Sequence, residues 1–395
     1  TYTTPGSGAD GYVILRRSDG TNPTTTGVVD GVAPGSWTLP SGTVLVSANA
    51  TGTSYNNTGL SNATDYCYLL IPFNWNGANA ETYNYRTTAT IPTTCGTTPS
   101  KLSDITNDAT YSLTSNFDYK LWQATSQTNT SDGLGMFNII IRDGGSSSPD
   151  ADNLPTILNA ITFNCPNFAN IRSAALFTTT GSLVQSVAVA SANITFSGLT
   201  GPNVTAPDNN TSVTELILRV SFNNTPATIT DSTKIVFTIT SATAASSATS
   251  SQFAASNAGG AVSDNDADAE NRLSVRSTKL AFVQPPTSTS NGATMFPAVT
   301  VRGDDVNNIQ DINFATNVSV TCSTPAALTA GGGPVTPSSG IATFSGIVHG
   351  TDGTYTMTAS ASGHTSITST VTGYVISSIT YVNGDFMTNA GGDWN

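Results

Sequence analysis

Positive charge is scarce in this chain. Lysine and arginine together number 13 among 395 residues, against 25 aspartates and glutamates, and the formal net charge is -12. Nucleic acids and anionic membranes both bind basic surfaces, so this charge balance excludes both as partners. The sequence also lacks any run of about 18 apolar residues, the length that a membrane-spanning helix needs. We therefore expect no membrane insertion.

Histidine is nearly absent, with His349 and His364 as the only two. Hydrolytic triads and zinc sites usually need at least one well-placed histidine. Each of the two stands next to a glycine in a turn-like sequence. We therefore expect both imidazoles to lie in surface turns, and we expect the chain not to be an enzyme.

Strong helix formers such as Glu, Lys, Gln, Arg and Met are rare, whereas Thr, Val, Ile and Tyr recur throughout. This bias favours pleated strands over helices. The apolar residues occur in runs of about four to eight, separated by Gly, Asn, Pro and Ser turns, a pattern typical of β-sandwiches. The predicted fold class is all-β, with β-sandwich domains in tandem.

The four cysteines do not form a metal cluster, because no two of them lie close together in the sequence. Cys67 and Cys95 flank one predicted hairpin, and a disulfide between them would close a loop of about 29 residues. The other pairings, which involve Cys165 and Cys322, remain open, although Cys322 has the surroundings of a lone buried thiol. A threonine- and asparagine-rich β sequence with few lysines is typical of extracellular proteins, so we predict a secreted or cell-surface location.

Strand spacing divides the chain into three modules and a tail, with boundaries near residues 94 and 277. The first module comprises residues 1–94, and residues 95–277 form a large β-sandwich. The third module comprises residues 278–377. Residues 378–395 are a linker, a donor strand or the start of a further module.

The first module resembles a fibronectin type III domain without its first strands. Residues 9–17, ADGYVILRR, are similar to strand C of that family, and Tyr2 stands where the family often has a core tryptophan. Leu60 and Tyr66 look like the family's tyrosine corner, in which the tyrosine hydroxyl ties the crossing between two strands. The resemblance implies a role of this kind for Tyr66.

The third module resembles the bacterial immunoglobulin-like modules of surface adhesins and invasins. Gly353 precedes the alternating residues Tyr355, Met357 and Ala359, which look like the family's penultimate core strand. The combination of modules is similar to very large surface proteins that gliding bacteria export by type IX secretion. That likeness implies immunoglobulin- and fibronectin III-like sandwiches and an extracellular structural or adhesive function, as part of a surface fibre or giant adhesin.

Two acidic loops carry carboxylates at the spacing that hard cations such as calcium use. The predicted ligands are Asp143, Asp150 and Asp152 in one loop, and Asp264, Asp266 and Asp268 in the other. In the first loop, Gly144 and Gly145 allow backbone carbonyls to turn inward. Calcium is the only cofactor that the sequence predicts, and a solvated acidic turn is the alternative for each loop.

Trp122, Tyr119 and Phe117 could form a platform on which sugar rings stack, although such a cluster more often belongs to a core. The alternative function is therefore an accessory carbohydrate- or calcium-dependent binding region of a larger secreted enzyme.

The predicted partners are neighbouring modules or copies of the same chain. A fibronectin-like module without its first strands has an open sheet edge, which invites strand addition. Residues 374–382 could supply the missing strand to the next copy, with Tyr374, Ile376, Ile379 and Tyr381 filling the apolar groove and a register break near Ser377 and Ser378. Strand donation of this kind would build a head-to-tail filament.

Overall fold

The computed structural model describes residues 8–52, 54–88, 90–108, 113, 115–147, 150, 152–208, 213–264, 269–370 and 373–378. Over this part of the chain the regular structure is β, interrupted by 3-10 turns and without an α-helix, so the all-β prediction is confirmed. The 3-10 segments are Ala80–Thr82, Tyr119–Leu121, Thr130–Asp132, Gly145–Ser147, Phe168–Asn170, Pro202–Val204 and Pro325–Ala327. None of the described helices is long and apolar enough to cross a membrane.

The N-terminal region contains a sheet in the order β2-β1-β3-β4, with β5 also paired to β3. Its strands are β1 (Gly11–Arg17), β2 (Val44–Ala50), β3 (Asp65–Asn74), β4 (Asn84–Tyr85) and β5 (Thr93–Thr97). Alternation along β1 buries Val13 and Leu15 on one face and Tyr12 and Ile14 on the other. The predicted boundary at residue 94 lies inside β5, so this sheet continues to Thr97.

The central region is a β-sandwich of two sheets, with strand orders β11-β10-β14-β8-β6 and β12-β9-β13, and β15 also pairs with β9. Its strands are β6 (Asp104–Asn107), β7 (Phe117–Asp118), β8 (Leu134–Arg142), β9 (Thr156–Asn164), β10 (Ile171–Thr178), β11 (Leu183–Ala188), β12 (Asn193–Ser197), β13 (Thr205–Ala206), β14 (Thr214–Phe222), β15 (Thr238–Ala244) and β16 (Leu273–Ser274). Phe163 lies between Phe137 and Phe196, with ring centroids 5.9 and 6.0 Å away, and this aromatic row joins the two sheets.

The C-terminal region consists of several short sheets around its own core, which contains Val299, Val301 and Met357. Its strands are β17 (Lys279–Gln284), β18 (Thr289–Ser290), β19 (Val299–Asp304), β20 (Val318–Cys322), β21 (Leu328–Ala330), β22 (Ile341–Phe344), β23 (Val348–His349), β24 (Gly353–Tyr355), β25 (Met357–Ala361), β26 (Ile367–Thr368) and β27 (Tyr374–Ser377). Most pairings are antiparallel, but β18 pairs with β27 in parallel.

A buried junction joins the central and C-terminal regions. Ile309 of the C-terminal region is 3% exposed and packs into the core of the central sandwich. The Tyr119 hydroxyl donates to Asp305 at 2.6 Å and accepts from the Asn307 amide at 2.7 Å. Asp231 extends this network, since it accepts from the backbone amide of Ile312 at 3.0 Å. The predicted boundary near 277 falls between β16 and β17, at this junction.

His349 differs from the prediction of a surface turn. Its side chain is fully buried on β23, where the ring stacks on Tyr355 at 5.1 Å and Nε2 pairs with the Tyr374 hydroxyl at 2.9 Å. The surface prediction was wrong for this residue because alternation along β23 turns the imidazole inward. His364 lies nearer the surface, where its ring nitrogens contact Ser277 and Ser362.

Cys67 on β3 and Cys95 on β5 stand directly opposite each other, with Cα atoms 4.0 Å apart, and form a disulfide. The remaining two cysteines are buried thiols. Burial raises the pKa of Cys165 to about 11, so this thiol stays protonated at neutral pH.

Candidate metal site

Three aspartates come together at one end of the central sandwich. Asp143 directly follows β8, Asp150 lies in the loop before β9, and Asp208 lies in the loop between β13 and β14. One carboxylate oxygen of each residue lies within 4.8 Å of the others. Oxygen atoms gathered in this way are the ligand type that hard cations prefer.

Sheet topology explains why Asp208 belongs to this group although it is distant in sequence. Strand β14 runs antiparallel to β8, and Thr214 at its start stands opposite Ile141 near the end of β8. On the other sheet, Ala206 of β13 pairs with Thr156 at the start of β9. The loop between β13 and β14 is therefore held at the same end of the sandwich as the loop between β8 and β9.

Asp143 is held in place by the first residue of β9. Its side chain is 5% exposed, and its carboxylate accepts a hydrogen bond from the Thr156 hydroxyl at 2.6 Å. The Thr156 hydroxyl also contacts the hydroxyl of Ser103 at 2.6 Å. A buried carboxylate with its orientation fixed in this way is pre-organised for a ligand.

Asp150 carries the most informative pair of atoms. Both of its carboxylate oxygens are buried and have no hydrogen-bond partner, and the same holds for Oδ1 of Asp208. Burial raises the pKa of Asp150, and the charges of Asp152 and Asp208 add to the rise. The nearby Ser100 hydroxyl and Asp152 amide act on the pKa of Asp150 in the opposite direction.

The pKa of Asp208 is raised as well, by burial and by the charge of Asp152. Buried carboxylates without donors are costly in a folded protein, and they are normally paired or bound to a metal. A bound cation would offset the lost hydration and the repulsion between these groups.

Asp152 has a different role from the one that the sequence predicted. It is 1% exposed, and its carboxylate accepts from the backbone amides of Ser100 and Leu154 and from the Ser251 hydroxyl. These donors use its oxygens to hold three chain segments together. Asp152 therefore positions the loop that carries Asp150, and it lies outside the group of converging ligand atoms.

The turn after Asp143 depends on glycine. Gly144 and Gly145 have φ angles of +68° and +59°, in the left-handed region that glycine adopts without strain. A Cβ atom on Gly145 would lie 2.3 Å from the carbonyl oxygen of Leu102. The chain can therefore turn tightly here and return Asp150 toward Asp143.

In the second predicted loop, Asp264 pairs with the side chain of a lysine. Asp264 has a side chain that is 4% exposed, and its Oδ2 lies 3.0 Å from Nζ of Lys234. The same oxygen accepts a hydrogen bond from Nδ2 of Asn271 at 2.6 Å. A neighbouring ammonium group disfavours a metal ion at Asp264, and Asp266 and Asp268 lie outside the described residues.

The aromatic cluster around Trp122 belongs to the core. Tyr119 is fully buried, and the Phe117 ring stacks on Phe222 with centroids 5.0 Å apart. Trp122 packs against the same core. These rings therefore offer no open platform for a sugar.

No family model matches the chain, and no curated protein matches it. Among solved structures, it is similar to the BSP domain of a biofilm associated protein, with a TM-score of 0.24, 10% identity and coverage of 93% of this chain and 76% of that one. A β-glycosidase from Bacteroides vulgatus matches with a TM-score of 0.18 and 12% identity, over 52% of this chain and 21% of that chain.

A third similar structure is SGBP-B of the Bacteroides ovatus mixed-linkage glucan utilization locus, in complex with a mixed-linkage heptasaccharide. Its TM-score is 0.16 at 12% identity, and the match covers 93% of this chain and 60% of that chain. This chain thus spans less than two thirds of the length of SGBP-B and about a fifth of the length of the β-glycosidase. Similarities this weak carry no functional conclusion.

Proposed function

We propose that this chain is a structural or adhesive region of an extracellular surface protein, and that its central sandwich binds calcium through Asp143, Asp150 and Asp208. The observation that carries the calcium site is the pair of buried Asp150 oxygens without a hydrogen-bond donor, converging with two further carboxylates. Calcium fits this set because it accepts six to eight oxygen ligands in flexible geometry, with water completing the shell.

The disulfide supports the extracellular part of the proposal. Disulfides such as Cys67–Cys95 persist in oxidising compartments and are rare in the cytosol. Extracellular modules also bind calcium weakly, at the roughly millimolar concentrations found outside cells. Export by type IX secretion and assembly into a surface fibre belong to the same proposal. These two parts are supported by the sequence resemblance. The first part of the predicted donor segment forms β27 within this chain's own C-terminal region, where Tyr374 and Ile376 are buried in the core, and residues 379–382 lie outside the described residues.

Calcium at this position would join the two sheets of the sandwich. Asp143 leaves β8 of one sheet, whereas Asp208 follows β13 of the other. A cation bound to both would tie the sheets together at the end where the chain enters from the N-terminal region. Asp152 fixes the chain at that point, because its carboxylate accepts a hydrogen bond from the amide of Ser100, three residues after β5.

The variant Asp150→Asn tests the site because its expected effect on stability has opposite signs in calcium and in EDTA. In calcium at a hundredfold excess over its dissociation constant, the wild type should gain about 2.7 kcal/mol of unfolding free energy over the same protein in EDTA. Asp150→Asn should lose most of that gain. In EDTA the same substitution should raise the melting temperature, because it removes a buried charge that has no donor. Calorimetry in both buffers measures both effects.

Asp19→Asn provides the matched control, because it removes the same charge from an exposed turn of the N-terminal sheet. It should keep the full calcium gain. An unchanged wild-type melting temperature in EDTA, or a full calcium gain in Asp150→Asn, would overturn the calcium site.

A further inference from the structure

Lys234, Asp264 and Asn271 form a buried group near the end of the central sandwich. Nζ of Lys234 and Nδ2 of Asn271 both contact one atom, Oδ2 of Asp264, at 3.0 and 2.6 Å. The Lys234 amine and the Asn271 amide are therefore brought together by their shared contact with the Asp264 carboxylate.

The group is shielded from water. The side chains of Lys234 and Asp264 are 20% and 4% exposed, and Asn271 is 5% exposed. The Asn271 amide oxygen is buried without a hydrogen-bond partner. A low-dielectric setting favours proton exchange between an ammonium and a carboxylate, which yields the neutral amine that acts as a nucleophile.

The backbone fixes the two reacting residues on adjacent segments. Lys234 pairs with Arg272 in an isolated antiparallel bridge. The Ile235 amide donates to the Asn271 carbonyl at 3.1 Å, and the Leu273 amide donates to the Thr233 carbonyl at 2.9 Å. This close pairing places both side chains within reach before any chemistry takes place, which is the main requirement for an intramolecular reaction.

We propose that Lys234 and Asn271 become joined by an intramolecular amide bond, with Asp264 as the catalytic proton carrier. Nζ of Lys234 attacks Cγ of Asn271, so that a new C–N bond forms and the bond from Cγ to Nδ2 breaks. Asp264 takes a proton from Nζ and delivers it to Nδ2, which leaves as ammonia. The products are one amide and one ammonia, and no oxidant, metal or other reactant is consumed.

The bond would fasten the exit of the central sandwich. Asn271 lies two residues before β16, whose pairing with β7 leads into the junction with the C-terminal region. A covalent link from Lys234 to Asn271 would hold that exit in place even when its hydrogen bonds open. This proposal does not depend on calcium, because Asp264 belongs to a separate group of residues.

The intact mass of the denatured chain, measured after reduction of the Cys67–Cys95 disulfide, tests the proposal directly. The wild type should be about 17 Da lighter than its sequence mass, the mass of one ammonia. The variants Lys234→Met, Asn271→Ala and Asp264→Asn should each retain their full sequence mass. Lys279→Met is the matched control and should keep the deficit, because Lys279 contacts Asn308 at 2.7 Å in an exposed pair.

Peptide mapping distinguishes the amide bond from cyclisation of a lone asparagine, which also releases ammonia. Trypsin should not cleave after an acylated Lys234, so residues 220–272 should appear as one peptide. A second protease that cleaves after Glu270 should leave the Asn271–Arg272 dipeptide attached to Lys234. A full wild-type mass, a deficit that persists in Lys234→Met, or release of that dipeptide would each overturn the proposal.

Discussion

At the scale of the residue, single polar groups fix the loops of this chain. The Tyr66 hydroxyl accepts a hydrogen bond from the Ser61 amide at 2.9 Å, and the Arg16 guanidinium lies 5.0 Å from the centre of its ring. The hydroxyl is thereby bound to the backbone five residues upstream. One buried hydroxyl thereby ties the loop before β3 to the sheet.

Tyr66→Phe should destabilise the N-terminal region by about 1 kcal/mol, because the Ser61 amide loses its acceptor. Chemical denaturation of the full chain, followed by tryptophan fluorescence, measures the loss. Tyr55→Phe is the control: the Tyr55 hydroxyl also binds the backbone, donating to the Val46 carbonyl at 2.6 Å, but Tyr55 is 39% exposed and water can replace this hydroxyl. Equal losses of stability in the two variants would contradict the prediction that the buried Tyr66 hydroxyl stabilises this region.

At the scale of the element, short strands carry constraints that their length does not suggest. Strand β23 has two residues, yet it places His349 between Tyr355 and Tyr374 in the C-terminal core. Burial lowers the pKa of His349, so the folded state keeps the imidazole neutral. The unfolded chain binds a proton near the ordinary histidine pKa of about 6.5.

Stability of the C-terminal region should therefore fall as the pH drops below about 6.5, because the unfolded state then binds more protons than the folded state. The loss should continue down to the lowered pKa of His349 in the folded state. His349→Phe should remove this slope in melts recorded between about pH 7 and pH 5, whereas the control His364→Gln should leave it unchanged. A wild-type melting temperature that stays flat over this interval would contradict the prediction.

Strand positions were predictable where the local pattern was strong, as in Gly11–Arg17 and Asp65–Asn74, which contain continuous apolar runs of strand length. Asp143 and Asp150 could be named from the sequence because they lie in one loop, between β8 and β9. Asp208 could not be found, because only the pairing of β14 with β8 brings it near. The inward direction of His349 depends on strand register, which sequence spacing alone does not determine.

At the scale of the whole molecule, the central and C-terminal regions share one buried junction. Asp305 is fully buried, and its carboxylate binds the Tyr119 hydroxyl and the backbone amides of Asn307 and Ile309. Hydrogen bonds to a buried charge are among the stronger ones in proteins. Ile309 packs into the central core beside them. The two regions should therefore unfold in a single transition.

Tyr119→Phe should uncouple the two regions, because it leaves one bond to the Asp305 carboxylate unmade, at a cost of about 1.5 to 3 kcal/mol. Calorimetry should then show two transitions, or one that is clearly broadened. Val306→Ala, a substitution at a neighbouring residue that is 65% exposed, should leave the wild-type profile intact. Separate transitions already present in the wild type would show that the junction does not couple the regions.

The parallel pairing of β18 with β27 determines how the C-terminal region would respond to tension along the chain. Thr289 near the start of this region stands opposite Ile376 at its end, and the Asn291 amide donates to the Ser377 carbonyl at 3.0 Å. When the two ends are pulled apart, parallel neighbours must slide past each other, so the hydrogen bonds between them are loaded together. An antiparallel hairpin pulled at its open end would instead lose its bonds one at a time.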